Sequence, residues 1–394
     1  MGKQSNIVVF LPNWVGDVVM ATPALRSLRE HFADAHIAYV ARPQAAAVIE
    51  GTADADEVFV DKASRGAAKT GGFWRMMDRL RGGRFDLAVL MPNSFRTALL
   101  AKLAAVRRIV GYKRDGRGFL LSDKLAPPRD DEGYIPTPAI DYYNALAAHL
   151  GAAATSRRMS LPVTAAHEQA ADALLAESHI APDRPLVMLN AGAAFGTSKL
   201  WSPRGFAAVA DALIERRGAR IIINAAPSER AIAAQVQDAM SHRPAISFTH
   251  RANSIGLLKS LLRRCDLLVT NDTGARHVAA AVGCGIVTVF GSTDPDWTVI
   301  YYDRERLVET AAPCAPCQKK TCTQSPGPMY HQCMATIEPP QVLAAAEAIL
   351  DEPSDRLNHQ GRKERQELRS SAISQGSPSD SSPDAGPHAE GSRQ

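Results

Sequence analysis

Two doubly wound α/β halves facing one cleft are the fold the sequence predicts, on three observations. Short apolar runs alternate with helical patterns, which implies βαβ units and parallel sheets. The alternation occurs once before about residue 150 and again after about residue 183. At 394 residues the chain is also too long for one ordinary core.

The expected strands are 7–11, 36–40, 57–60, 86–91, 108–111, 185–190, 220–224, 267–270 and 286–290. Helical patterns cover 24–32, 165–177, 206–217, 228–240 and 255–265, and the last helix takes in 345–350. The first apolar run is too short for a signal-peptide core, has only Lys3 before it and meets no cleavage site, so it reads as the first strand of a cytoplasmic protein. No apolar stretch approaches the length that crosses a bilayer. The expected domains are 1–165 and 166–352, the second carrying a cysteine-rich loop at 313–333. Residues 353–394 are rich in Ser, Pro, Gly and Gln with balanced charge, and are expected to be a disordered tail.

Net charge is +4, but it is unevenly spread. Between Arg96 and Arg117 seven basic residues face Asp115 alone. Such a field suits an anionic partner: a phosphorylated glycolipid, an acidic membrane surface or nucleic acid.

Three clusters carry chemistry. The first is Pro12-Asn13-Trp14-Val15-Gly16-Asp17, after the first strand. Loops at the carboxyl ends of strands face the ligand crevice, so Asp17 should look into the cleft. A turn on Gly16 is expected, with a helix starting near Val18 or Thr22. A helix cap is the competing reading of Asp17, and Thr22-Pro23 the competing cap. The second cluster runs from Thr270 to His277. Thr273 and Gly274 at a helix N-terminus offer free N–H groups to an anion, with Asp272 before them and His277 one turn on. The third cluster runs from Asn190 to Pro203, where Thr197, Ser198 and Lys199 make a phosphate-friendly trio. A Walker loop is absent. So is a G-x-G-x-x-G after the first strand, which argues against a dinucleotide oxidoreductase.

In this order the clusters resemble the ADP-heptose:lipopolysaccharide heptosyltransferases of glycosyltransferase family nine, most of all the heptosyltransferase II branch. Lys199-Leu200-Trp201-Ser202-Pro203, Phe290-Gly291-Ser292-Thr293-Asp294-Pro295 and the acceptor-loop-like Met91-Pro92-Asn93-Ser94-Phe95-Arg96 add to the likeness. The resemblance implies a GT-B fold and inverting transfer of heptose from ADP-heptose without a metal cofactor. It implies Asp17 as general base and Lys199 on the diphosphate. Thr197, Ser198, Glu229, Asp272, Thr273, Gly274 and His277 would complete the donor site. The acceptor would be a phosphorylated lipid A inner core, met at the inner membrane surface. Its candidate contacts are Asn13, Trp14, Asn93, Ser94, Arg96, Arg107 and Arg108. Where family members often carry Pro and Met, this chain has Ala275 and Arg276, and the added charge is expected near the phosphates.

Cys314, Cys317, Cys322 and Cys333 follow a C-x2-C-x4-C-x10-C spacing that admits a structural zinc knot, reduced thiols or disulfides. Cys265 and Cys284 read as core residues. Two other functions compete: a GT-B transferase with another nucleotide sugar or acceptor, and a non-enzymatic zinc-knot binder of nucleic acid. The second leaves Asp17, Lys199 and the Asp272–His277 turn without a purpose, so nucleic acid is not an expected partner.

Overall fold

A computed structural model describes residues 5–62, 67–153, 156–180 and 183–352. The tail expected at 353–394 lies outside them. The first half runs β1 (Asn6–Phe10), α1 (Val15–His31), β2 (His36–Ala41), α2 (Pro43–Val48), β3 (Glu57–Val60), α3 (Ala67–Gly82), β4 (Leu87–Leu90), α4 (Phe95–Leu103), β5 (Arg108–Tyr112), β6 (Asp123–Leu125) and α5 (Ala139–His149). After α6 (Ala165–Glu177) come β7 (Leu186–Asn190), α7 (Pro203–Arg217), β8 (Arg220–Ile223), α8 (Arg230–Ala239), β9 (Ile246–Ser247), α9 (Ile255–Arg264), β10 (Leu267–Asn271), α10 (Gly274–Val282), β11 (Gly285–Phe290) and β12 (Glu305–Glu309). Then α11 (Gln332–Ala335) and α12 (Pro339–Asp351) close the described chain.

Each half builds one six-stranded, wholly parallel sheet, in the orders β3-β2-β1-β4-β5-β6 and β12-β11-β10-β7-β8-β9. The two orders are the same when read from each half's own first strand. Strands covered by helices on both faces must be apolar throughout, and β7, β10 and β11 are buried at every residue. Strand order reverses between β1 and β4 and between β7 and β10. At such a reversal the neighbouring loops diverge and leave a crevice beyond the carboxyl ends. All three sequence clusters leave strands at these two points.

The strands expected from sequence are present within a residue or two at each end. Three were not anticipated: β6 and β9 are only three and two residues long, and β12 is an edge strand with charged residues at its ends. The larger correction concerns α1. It begins at Val15, so Gly16 is helical rather than a turn, and Asp17 sits in the first helical turn. Pro23, expected to start the helix, lies inside it. The ring removes the N–H that would reach the Val19 carbonyl, and the Thr22 hydroxyl donates to that oxygen instead at 2.7 Å.

Helix α1 of the first sheet packs on α10 of the second. The two halves are also tied by Lys259, fully buried in α9, whose ammonium donates to the Val48 and Glu50 carbonyls at the end of α2 (3.0 and 3.3 Å). Burial lowers that lysine to about 8. Among the described residues no helix is long and apolar enough to cross a membrane.

Candidate active site

The crevice edge of the second sheet is built largely from strand-terminal amides. The Asn253 amide donates to Asn224 (2.6 Å), Asn224 to Asn190 (2.7 Å), and Asn190 to the hydroxyls of Thr270 and Thr273 (3.2 and 3.1 Å). Asn271 donates to the Ala191 carbonyl at 2.8 Å and accepts from the Trp201 N–H at 3.2 Å, so the exits of β7 and β10 are stitched together. Trp201 is buried, with its indole N–H on the Ile337 carbonyl at 2.8 Å. Ser202 then caps α7 and Pro203 opens it. That anchoring places Lys199, two residues upstream, at the mouth of the crevice. The buried amides of Asn190, Asn224 and Asn271 are tied to one another's strands, and such hydrogen-bonded networks favour one geometry because alternatives leave polar groups unsatisfied.

Lys199 Nζ donates to Asp272 Oδ2 at 2.5 Å and to the Asp272 carbonyl at 3.3 Å, and Thr293 donates to the same carboxylate at 3.0 Å. Asp272 is therefore no simple helix cap. Buried though it is, Lys199 and Arg276 hold it below the ordinary carboxylate range. Thr273 and Gly274 begin α10, where the free N–H groups and the positive end of the dipole face the crevice. His277 is buried, and desolvation first, then the Arg276 charge, push it down to about 3, so its ring is neutral at physiological pH. Its Nδ1 has no hydrogen-bond partner.

The ring of His277 crosses to the other half. A Cβ on Gly16 would stand 2.6 Å from His277 Cδ2, and one on Gly274 would stand 3.0 Å from Val15 Cβ. Gly16 is required by the close approach of α1 to α10, not by backbone conformation, and Gly274 leaves the same contact tight. This contact brings Asp17 to the Lys199–Asp272 pair. Burial pushes the Asp17 carboxyl up to about 6; the Asp272 charge raises it further and the Lys199 charge lowers it. A carboxyl poised there can take a proton near neutral pH.

The remaining donor-side residues divide. Glu229 is half-buried over the β7 exit: a Cβ on Gly192 would fall 2.1 Å from its carboxyl carbon, and burial raises its pKa. Thr197 is exposed at the mouth. Ser198 is not open to a phosphate, because its hydroxyl donates to the Lys319 carbonyl at 2.5 Å and accepts from Ser292 at 3.1 Å. Arg276 does not present a free charge at the crevice mouth either; its guanidinium lies behind Asp272, 3.8 Å from that carboxylate. It is 1 % exposed and doubly bonded to Glu305, at 2.6 and 2.9 Å.

On the first sheet, Asn13 and Trp14 are exposed beside Asp17, with Trp14 57 % accessible. A small cavity of about 40 Å³ lies past the ends of β1, β2 and β4, lined in part by Asn13, Arg42, Asp61, Ser94 and Arg96. Arg96 pairs with the buried Asp61 at 2.6 Å. Ser94 caps α4. Asn93 accepts from Arg117 (3.2 Å) and Tyr142 (3.1 Å), which holds the loop still. The basic run does not form one face. Arg108 opens β5, at the amino edge of a parallel sheet and so opposite the crevice, and is tied to Asp123 at 2.5 Å. Arg107 precedes it. Arg117 is buried. Arg107 and Arg108 therefore do not line the acceptor side.

Sequence reasoning missed Arg42, Thr293 and the Asn190–Asn224–Asn253 relay. One signal was available for two of its members: β7 ends on Asn190 and β8 just before Asn224, each an amide placed where an apolar strand runs out.

The four clustered cysteines are free, and Cys314, Cys317 and Cys322 lie near Cys333. Burial, then the neighbouring thiols of Cys314, Cys317 and Cys322, push Cys333 up to about 11. Among the described residues no group of three His, Cys, Asp or Glu side chains is placed to hold a metal ion. Cys265 and Cys284 are buried core residues as expected.

The family model described as glycosyltransferase family 9 (heptosyltransferase) matches residues 73–327. The chain belongs to glycosyltransferase family 9. Among the similar proteins of this family is the lipopolysaccharide heptosyltransferase 2 of Salmonella typhimurium, 25 % identical over 88 % of this chain and 99 % of that one. Two solved structures share the fold. One is a glycosyl transferase family 9 protein of Veillonella parvula (TM-score 0.76, 23 % identity, 88 % and 97 % coverage). The other is the ADP-heptose lps heptosyltransferase II of E. coli (TM-score 0.70, 24 % identity, 88 % and 98 % coverage). The family 9 chain is thus a glycosyltransferase of GT-B architecture, as the motif order implied.

Proposed function

We propose that this family 9 enzyme transfers heptose from ADP-heptose, with inversion, to the heptosylated inner core of lipopolysaccharide. The observation that carries the chemistry is a carboxyl poised near 6 on α1, set against a lysine and a helix N-terminus on the opposite sheet. The choice of donor and acceptor rests on the likeness to the Salmonella and E. coli proteins, whose names carry heptose and lipopolysaccharide.

In this reading the acceptor hydroxyl attacks the anomeric carbon of the heptose from the face opposite ADP. Its proton passes to Asp17 as the new C–O bond forms. The bond from the anomeric carbon to the ADP oxygen breaks, and ADP leaves with the electron pair. An oxocarbenium-like transition state builds negative charge on the departing phosphate. Lys199, with the N–H groups of Thr273 and Gly274, faces that charge. Glu229, beside the β7 exit, is proposed to take the ribose. No step is routed through a metal. Asn13, Trp14, Ser94, Arg96 and Arg42 are proposed to hold the acceptor, with the enzyme working from the cytoplasm at the inner membrane face.

The test is incubation of the purified chain with ADP-heptose and lipid A core acceptors carrying zero or one heptose. Mass spectrometry should show one added heptose on the acceptor already carrying one, and none when UDP- or GDP-sugars replace the donor. Transfer from those other donors would move the protein to a different substrate class.

A further inference from the structure

The cysteine-rich loop does not stand apart from the crevice. Ser198 Oγ donates to the Lys319 carbonyl at 2.5 Å, and the Ser198 N–H donates to the Lys320 carbonyl at 3.1 Å. The Gln318 N–H donates to the Ser292 carbonyl at 2.8 Å, and Ser292 in turn bonds Ser198 at 3.1 Å. A Cβ on Gly196 would fall 2.1 Å from the Lys320 carbonyl oxygen, so only glycine lets the two backbones meet. The result is a fixed juxtaposition at Phe195. Lys199 Nζ lies 4.8 Å from the centre of its ring, and Lys320 Nζ, arriving from the cysteine-rich loop, lies 5.9 Å from it.

Charge balance gives this juxtaposition a purpose. Lys199 is already neutralised by Asp272, and Arg276 by Glu305. His277 is held neutral and Asp17 contributes negative charge. A bound diphosphate would meet oriented N–H groups but no cation in excess. Lys320 is exposed and makes no ion pair among the described residues. Its stem is long and flexible enough to swing its ammonium across the ring toward the mouth of the crevice.

We propose that Lys320 is a donor-site residue, binding the diphosphate of the nucleotide sugar and facing the charge that develops on the leaving group. The cysteine-rich loop is then the arm that delivers it. The proposal rests on the donor reading above, for which a nucleoside diphosphate is the shared chemistry.

Lys320→Gln and Lys320→Arg can be compared with the parent enzyme by calorimetric titration of ADP and of adenosine. Since the backbone carbonyl of Lys320 makes the hydrogen bond to Ser198 and its exposed ammonium only skirts the Phe195 ring, the side-chain variants should fold as the parent does. Lys320→Gln should weaken ADP roughly tenfold, the loss of one charge-assisted contact, and leave adenosine unchanged. Lys320→Arg should restore most of the affinity. Equal losses for ADP and adenosine would reduce the lysine to a structural role and overturn the proposal. So would an ADP affinity in Lys320→Gln within twofold of the parent, or a parent that does not bind ADP. Heptose transfer by the parent, assayed in the same preparations, separates the two claims. Transfer with an indifferent Lys320→Gln sinks the lysine and keeps the transferase; absence of transfer with a tenfold ADP loss sinks the heptose reading and keeps the lysine.

Discussion

The two crevice edges follow the same strand order yet are finished differently. The β7–β10 edge is wired: a chain of asparagines runs from Asn253 to Thr273, and Lys199, Asp272 and Thr293 close on one carboxylate. The β1–β4 edge is tied at its base. Arg117 and Tyr142 hold Asn93 and Asp61 holds Arg96, while Asn13 and Trp14 stand exposed at the mouth. A buried polar network permits one geometry and suits a ligand of fixed shape such as a nucleotide. An open edge suits a partner that is large and varied. One parallel-sheet plan thus serves two recognition problems through what is placed at the switch points.

The largest break in this comparison should come where the edges touch. Gly16→Val places a side chain in the ring of His277. It is expected to force α1 from α10 and lower kcat by more than about a hundredfold, with ADP affinity less affected; steady-state kinetics beside calorimetry checks this. Next, Asp272→Asn removes the partner of Lys199 and strips one member from a buried ion pair. Denaturant titration should show a loss of about 3 kcal/mol, with donor KM raised. Asn190→Ala cuts the relay at its centre and should raise donor KM roughly tenfold without moving acceptor KM. On the open edge, Arg42→Ala should raise acceptor KM a few-fold and leave the donor alone. Reversing Arg107 and Arg108, at the far edge of the sheet, should do neither. An acceptor KM that responds to Arg108 would contradict the placement of the acceptor.

Much of the fold could be read from the chain because parallel strands buried on both faces are written as continuous apolar runs. What escaped were strands two or three residues long and an edge strand with charged ends. Local cues misplaced the start of α1. Gly16 reads as a turn and Pro23 as a first helical residue, but tertiary contact decides both: Gly16 is there to admit His277, and Thr22 satisfies the carbonyl that Pro23 abandons. Asp17, Lys199 and Asp272 were legible because polar residues are costly just past apolar strands. Ser198 and Arg276 misled because composition near a site does not reveal pairing. Ser198 is taken up by the cysteine-rich loop, and Arg276 by Glu305 nearly thirty residues on. Arg107 and Arg108 belong to a run of charge in sequence that a strand divides between opposite edges of the sheet.

Asp17 also leaves a mark on stability. A carboxyl raised to about 6 takes up its proton more readily in the folded chain than in the unfolded one. Its favourable contribution is complete below about pH 4 and is lost as the pH rises through 6. Asp17→Asn should therefore be more stable than the parent at pH 8, by about 2 kcal/mol after allowing for partial solvent access, and no more stable near pH 3.5.

The most direct measurement is the rate of heptose transfer by Asp17→Asn, taken beside its affinity for ADP. A proton acceptor set against an intact donor cradle predicts a kcat lower by about a thousandfold or more, with ADP binding unchanged. A variant that turns over at close to the parent rate would contradict it.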